Sequence, residues 1–388
     1  MPLSVVNCTA LLQHLVAATL APERGVPANE LLTDLKSGDD LRDGPAALDS
    51  LDQLSVARQV AEFFELEKTG AEELLLRRNR LTQWSELITG SLNTGTLTEL
   101  WFRSGGTTGE PKLIAQPLSH LVSEVREINR IVGDAKRIIA LVPLHHIYGF
   151  IWGPLLSDQL DAPLIHGEAA IEAAHHGLQA GDLVLGIPEW WQYLGRSRTP
   201  VPAGVTGVTS TAPCPPGVIR AALEKGLQSM IEVYGSSDTG GIAWRDSPDA
   251  GFRLFDHWSR HDDDHLQSET GRVCPLPDLV DWETDRTLIP RRRRDNAIQV
   301  GGVNVWPDRV RGFIENHPRV QACAVRPMDT AQGIRLKAFV VPSDGARDEI
   351  RSELLRWLKA NLSAAERPVQ LTLGDKLPRN PMGKLCDW

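Results

Sequence analysis

The segment Ser104-Gly105-Gly106-Thr107-Thr108-Gly109-Glu110-Pro111-Lys112 constrains this chain more than any other stretch. Its three glycines free the backbone to adopt positive φ and to approach a ligand closely. The hydroxyls and amides around them donate hydrogen bonds, and Lys112 adds a positive charge. Such a loop suits phosphate oxygens, although the same composition also suits a polar surface turn. It is not a Walker loop, because neither Gly105 nor Gly106 is followed after four residues by Gly-Lys-Ser/Thr.

Around this loop, short apolar runs alternate with helical stretches from residue 93 to about 290. Ile138 to Pro143, Leu183 to Pro188 and Met230 to Tyr234 are such runs. That alternation predicts an α/β sheet domain. Residues 295–388 predict a smaller α+β unit, with strands at Ala322 to Arg326 and Leu336 to Val341 and a helix from about Arg347 to Asn361. Residues 1–92 read as helical: Leu11, Leu12, Leu15 and Val16 recur at helical spacing, as do Leu54, Val56, Val60, Phe63 and Phe64. The expected domains are therefore 1–92, 93–294 and 295–388.

A net charge of −9 argues against a nucleic-acid partner. The five cysteines form no Cys-x-x-Cys pair, so neither a cysteine zinc site nor a disulfide framework is expected, and a reducing cytoplasm fits. The apolar stretch before Ala21 has no positive n-region and is broken by Asn7, Gln13 and His14. It reads as neither signal peptide nor membrane span.

The loop resembles the Ser-Gly-Thr-Thr-Gly-x-Pro-Lys signature of the adenylate-forming superfamily, which includes acyl- and aryl-CoA synthetases. Further motifs of that superfamily follow in order. Pro143-Leu144-His145-His146-Ile147-Tyr148-Gly149 resembles the segment lining the acyl pocket, above all in 4-coumarate–CoA ligases. Ser210-Thr211-Ala212-Pro213 is similar to Gly-Gly-Ala-Pro, and Tyr234-Gly235-Ser236-Ser237-Asp238 to Tyr-Gly-x-Thr-Glu. Arg293-Arg294-Asp295-Asn296-Ala297-Ile298 and Leu377-Pro378-Arg379-Asn380-Pro381-Met382-Gly383-Lys384 resemble the two closing motifs. Together they span residues 101 to 388.

The resemblance implies a reduced ligase large domain, with most of the family's first subdomain absent, followed by a mobile C-terminal lid. It implies that ATP and Mg²⁺ are used to turn a carboxylic acid, aryl or unsaturated, into an acyl-adenylate. The acyl group then passes to a phosphopantetheine thiol of a carrier protein or to CoA. Ser104, Gly105, Gly106, Thr107, Thr108 and Gly109 would hold phosphate with Lys112. Ser210, Thr211, Ala212 and Pro213 would contact adenine by backbone, and the Tyr234 ring would stack beside Gly235. Ser237 would bind phosphate and Asp238 magnesium. Asp278 and Arg293 would reach the ribose, and Asp295 would be the hinge. Lys384 would bridge the carboxylate and the α-phosphate. His145, His146, Tyr148 and Gly149 would line the acyl pocket, unless that turn simply packs the core. An ordinary acyl-CoA ligase and a non-catalytic nucleotide-binding scaffold are the alternatives.

Leu48-Asp49-Ser50-Leu51-Asp52-Gln53-Leu54 resembles the start of the second helix of acyl carrier proteins. By that resemblance Ser50 would bear 4′-phosphopantetheine, with Leu51 and Leu54 anchoring the helix. The same residues also read as an N-cap on an ordinary amphipathic helix.

Overall fold

The computed structural model describes residues 3–36, 38, 40–43, 46–104, 112–330, 333–343, 347–379 and 385–388. Two compact units divide the chain. The first comprises the chain through Ser104, Leu113–Leu276 and Asp281–Ile289; Lys112, Pro277–Val280 and Pro290–Trp388 belong to the second.

The first unit opens with helices α1 (Val5–Arg24), α2 (Ala28–Asp34), α3 (Ser50–Phe64), α4 (Glu72–Leu76) and α5 (Leu81–Asn93). Ser4 caps α1 by accepting from the Asn7 amide at 3.1 Å, and Gly25 ends it in the left-handed region at φ 65°. By length and hydropathy α1 could cross a membrane, which the broken apolar run did not suggest. It is instead largely buried within the unit, and its polar groups find partners. Asn7 Nδ2 donates to Ser157 Oγ at 2.9 Å and to Asp158 Oδ1 at 2.7 Å, and Thr9 Oγ1 lies 2.8 Å from Ser85 Oγ.

Helix α3 begins at the carrier-like segment. Asp49 is the N-cap, its Oδ1 accepting from the Leu51 and Asp52 amides at 2.8 Å each, and Ser50 is the exposed first helical residue. Leu51 and Leu54, expected to anchor the helix, are 75% and 53% exposed. Val56, Val60, Phe63 and Phe64 face inward, and Phe63 makes an edge contact with Phe102 at 5.1 Å. Residues 1–92 thus share one compact unit with the sheet that follows.

Strands β1 (Glu99–Ser104) and β2 (Lys112–Pro117) pair on either side of the glycine-rich loop. Helix α6 (Leu118–Val132) then leads into the main sheet. Its strands are β3 (Arg137–Ala140), β4 (Leu164–Ile165), β5 (Asp182–Gly186), β6 (Thr206–Thr209), β7 (Ser229–Ser236), β8 (Gly240–Arg245) and β9 (Phe252–Leu254). A hairpin of β13 (Asp278–Thr284) and β14 (Thr287–Arg293) extends it, giving the order β13-β14-β9-β8-β7-β6-β5-β3-β4. From β4 to β7 all pairs are parallel; β8 and β9 add antiparallel. The β5 strand is buried at every position, as a sheet covered on both faces requires. Its cover includes α10 (Pro188–Arg196) and α11 (Pro216–Glu224). Short helices α7 (Ile147–Phe150), α8 (Leu156–Leu160) and α9 (Gly167–Glu172) lie between β3 and β5 in the chain. A small sheet of β10 (Trp258–Arg260), β11 (His265–Ser268) and β12 (Val273–Pro275) completes the unit.

In the second unit, β15 (Ile298–Val300) and β16 (Val303–Val305) form a hairpin, followed by α12 (Pro307–Glu315). Strands β17 (Val320–Thr330), β18 (Gly333–Pro342) and β19 (Gln370–Leu373) form a sheet, and α13 (Arg347–Asn361) packs into its core through Ile350, Leu354 and Leu358. This is the α+β unit that the strand and helix pattern predicts.

The two faces of α3 give a test. Phe64→Ala should cost about 3–5 kcal/mol in urea unfolding, as for a large buried aromatic. Leu54→Ala should stay within about 0.5 kcal/mol of the wild type. Comparable losses for both would mean that the helix is oriented differently.

Candidate active site

In parallel sheets of this kind, ligands bind beyond the carboxyl ends of the strands where the strand order reverses. Here β4 and β5 flank β3 on opposite sides, so the reversal lies at β3. The segment Pro143 to Gly149 leaves β3 at that point. The Tyr148 hydroxyl donates toward Val208 O at 3.1 Å and Gly186 O at 3.3 Å, tying α7 to the ends of β5 and β6. Gly149 is required sterically, since a Cβ there would stand 2.1 Å from Pro143 O.

Beyond β6, Ser210 Oγ donates to Val233 O at 3.0 Å, fixing this loop to β7. Thr211 follows with φ at 76°, a rare and strained conformation for a β-branched residue. The Cys214 amide donates to Glu232 Oε1 at 2.9 Å, and Glu232 is paired with Arg245. The loop expected to meet adenine, Ser210 to Pro213, is therefore braced on β7 at both ends.

The β7–β8 turn carries Ser237 and Asp238. Gly235 sits so close to the opposing strand that a Cβ would lie 2.3 Å from Gly240 O. The turn's carbonyls are held from outside. Gln116 Nε2 donates to Ser237 O at 2.6 Å, Arg272 to Asp238 O at 3.3 Å, and His120 Nε2 lies 2.9 Å from Thr239 O. Ser237 is half-buried and Asp238 exposed. Tyr234 is half-buried, its ring 5.9 Å from that of Phe252. Gln116, His120 and Arg272 are positioning residues that motif reading missed. Only Gln116 left a signal, as a buried polar position in the strand that follows the phosphate loop.

The acyl-pocket segment belongs to a cluster of histidines. His145 and His146 have ring centroids 4.5 Å apart, and those of His14 and His166 are 5.3 Å apart. His14 comes from α1 and accepts from the Leu144 amide at 3.4 Å. Burial, aided by His166 and His146, lowers the His14 imidazole to about 3, and burial likewise holds His145 well below the ordinary value. These rings are neutral at pH 7 and supply no cation for a substrate carboxylate. His14 carried no motif signal, because only the fold brings residue 14 to residue 144.

In the second unit, Asp278 opens β13 and Arg293 closes β14. The Arg294 amide donates to Pro277 O at 3.1 Å and its Nε to Asp278 O at 3.2 Å, so these two expected ribose-binding segments are neighbours. Arg293 binds Asp295 through two bonds of 2.9 Å, and Asp295 also accepts from the Ala297 amide at 3.1 Å. Burial alone would raise the Asp295 carboxyl, but these donors hold it below the usual carboxylate range. The ribose residue and the hinge residue expected from the sequence are thus bonded to each other. Lys112 is exposed at the start of β2. Gly105, Gly106, Thr107, Thr108, Gly109 and Lys384 lie outside the described residues, as does the Ser104 side chain. Arg379 and Leu385 form an antiparallel bridge, and the Cys386 amide donates to Pro378 O at 2.8 Å.

The sequence profile of the AMP-binding enzyme family matches residues 101–293, and that of the AMP-binding enzyme C-terminal domain matches 312–384. The chain belongs to this family and is an AMP-forming acid–thiol ligase. It is 37% identical over 386 residues to a 4-coumarate–CoA ligase of Halorhodospira halophila, a match covering 97% of each chain. It is also 33% identical over 389 residues to a 4-coumarate–CoA ligase of Rhodobacter capsulatus, covering 97% of this chain and all of that one. Among solved structures, the amide bond synthetase McbA of Marinactinospora thermotolerans shares the fold. Its TM-score is 0.63 at 20% identity, over 97% of this chain and 92% of that one.

The histidine cluster gives a pH prediction. A buried His14 with a folded value of about 3 and an unfolded value near 6.5 binds fewer protons folded than unfolded. This costs nothing well above pH 6.5 and lowers stability progressively as pH falls toward 3. By pH 5 the loss is about 2 kcal/mol. Urea unfolding at pH 7 and pH 5 should show that loss in the wild type and a smaller one in His14→Leu. An equal loss in both would place the acid sensitivity elsewhere.

Proposed function

We propose that this protein activates an aromatic, α,β-unsaturated acid of the 4-coumarate type and delivers it to CoA. The observation that carries this reading is the end-to-end match to ligases named for 4-coumarate and CoA. That match runs through residues 1–92 as well. It favours CoA as the acceptor over Ser50 or a separate carrier protein, and so favours the ordinary acyl-CoA ligase over self-loading. The neutral His145 and the aromatic Tyr148 suit a planar, uncharged acyl body better than a second carboxylate.

The reaction has two steps. A carboxylate oxygen attacks the α-phosphorus of ATP, the bond to the bridging oxygen breaks, and pyrophosphate leaves with its electron pair. The thiolate of CoA then attacks the acyl carbon and AMP leaves. Neither step is favourable between anions unless phosphate charge is neutralised and the groups are aligned. Lys112, Lys384 and the loop amides from Ser104 to Gly109 serve that purpose in this reading. Ser210 to Pro213 and Tyr234 form the adenine face, Asp278 and Arg293 the ribose face, and the Arg293–Asp295 pair must open for Arg293 to take that role. An exposed Asp238 carboxylate beside the Ser237 hydroxyl, on a turn whose carbonyls are fixed, is a donor set that fits a hard cation. Magnesium bound there would supply charge neutralisation on the phosphates. A cytoplasmic setting, where ATP and CoA are plentiful, fits this reading.

A pyrophosphate-release and hydroxamate screen across cinnamic, benzoic and fatty acids tests the substrate class. Coumarate-type acids should lead, and thioester should form with CoA but not with a phosphopantetheinylated carrier. A preference for fatty acids would refute the substrate class. Lys384→Ala should leave ATP binding nearly intact while cutting adenylate formation at least about 10²-fold, as for a charge acting in the transition state. Equal pyrophosphate release by variant and wild type would remove Lys384 from the chemistry. For Asp238→Asn, the magnesium concentration giving half-maximal rate should rise and turnover fall, because a neutral amide is a poorer ligand for a hard cation. An unchanged magnesium titration would move the metal to another residue.

A further inference from the structure

Behind the β7–β8 turn, on the side of α6, lies a group of side chains to which the proposed reaction assigns no contact with substrate. His120 and Glu124 are four residues apart and so share one face of α6. His257 approaches from the short segment between β9 and β10. One ligand-capable atom from each of His120, Glu124 and His257 lies within 4.8 Å of the other two.

The surroundings make this more than a chance grouping. His257 is 3% exposed, and its Nε2 is buried without a hydrogen-bond partner. Its other nitrogen, Nδ1, lies 3.1 Å from Glu127 Oε2, and Glu127 is fixed in turn by accepting from the Asp256 amide. A carboxylate at Nδ1 holds the proton there and leaves the buried Nε2 with a lone pair for a metal ion. Metal-binding histidines are commonly set in this way by a carboxylate behind them. Glu124 is 1% exposed, and among the described residues its carboxylate has a single hydrogen bond, from the Gly241 amide at 3.0 Å. A buried carboxylate so sparsely bonded is costly unless a proton or a cation joins it. His120 is half-buried and offers a path from solvent.

We propose that His120, Glu124 and His257 form a binding site for a divalent transition-metal ion of the zinc type. Two imidazoles and one carboxylate are a ligand set that zinc accepts. Ligand atoms around a tetrahedral zinc stand about 3.3 Å apart, given Zn–N and Zn–O bonds of about 2.0–2.1 Å. Small side-chain rotations therefore close the group on an ion. The site bears on the turn that carries Asp238, because His120 contacts Thr239 O and Glu124 binds Gly241 N. An ion there would brace the turn from behind and is distinct from magnesium at the reacting phosphates.

The test uses the full chain, stripped with chelator and dialysed. Loading with Zn²⁺ alone should restore about one ion per chain by elemental analysis. Co²⁺ in its place should give visible absorption of a low-coordinate nitrogen–oxygen site. His257→Gln and Glu124→Gln should each weaken uptake at least about tenfold, with His120→Asn as a third variant should either fail to fold. Failure of the wild type to retain Zn²⁺ or to give the Co²⁺ band overturns the proposal. So does a band of equal strength in His257→Gln and His120→Asn, which would place the ion on other histidines.

Discussion

The β7–β8 turn depends on support from outside its own strands. Its geometry begins with Gly235, where no side chain fits against Gly240 O. The turn then points three carbonyls, from Ser237, Asp238 and Thr239, at partners in three different parts of the chain. Gln116 at the end of β2, Arg272 beside β12 and His120 in α6 meet them. Each of these bonds fixes backbone rather than a side chain. The consequence is a tip whose main chain is set before any ligand arrives, which is how a site avoids reorganisation during reaction.

The same economy holds around the sheet. Tyr148 joins the ends of two strands through one hydroxyl, and Ser210 joins a third. These bonds draw the segments leaving β3, β6 and β7 into one rim along the carboxyl edge of the sheet. The strain at Thr211 is held in that rim, between Ser210 bonded to β7 and Cys214 bonded to Glu232. A flexible loop would relax it.

The amino-terminal helices show how little of a region's packing a short motif encodes. Asp49-Ser50-Leu51 has the order of a carrier-protein helix start, yet the physical part of the motif is the Asp49 cap, which any helix can use. What ties the region to the rest of the first unit is the buried face of α3 and the polar anchors of α1 on Ser157 and Asp158. Those contacts join residues some 150 positions apart. No local pattern encodes them.

Much of the site was legible in sequence because backbone chemistry restricts which residues can serve. Gly149 and Gly235 stand where a Cβ would collide, so these positions show as motif letters. The alternation of apolar runs likewise gave the sheet, since strands buried on both faces have to be apolar throughout. By itself the sequence thus determined the family, the order of the elements and most of the residues expected at the nucleotide. The tertiary structure alone decided the rest. It brought His14 to Leu144, set His257 against His120 and Glu124, and turned Arg293 onto Asp295. Each of these depends on a meeting of distant segments or on one side-chain direction. Neither periodicity nor spacing along the chain carries that information.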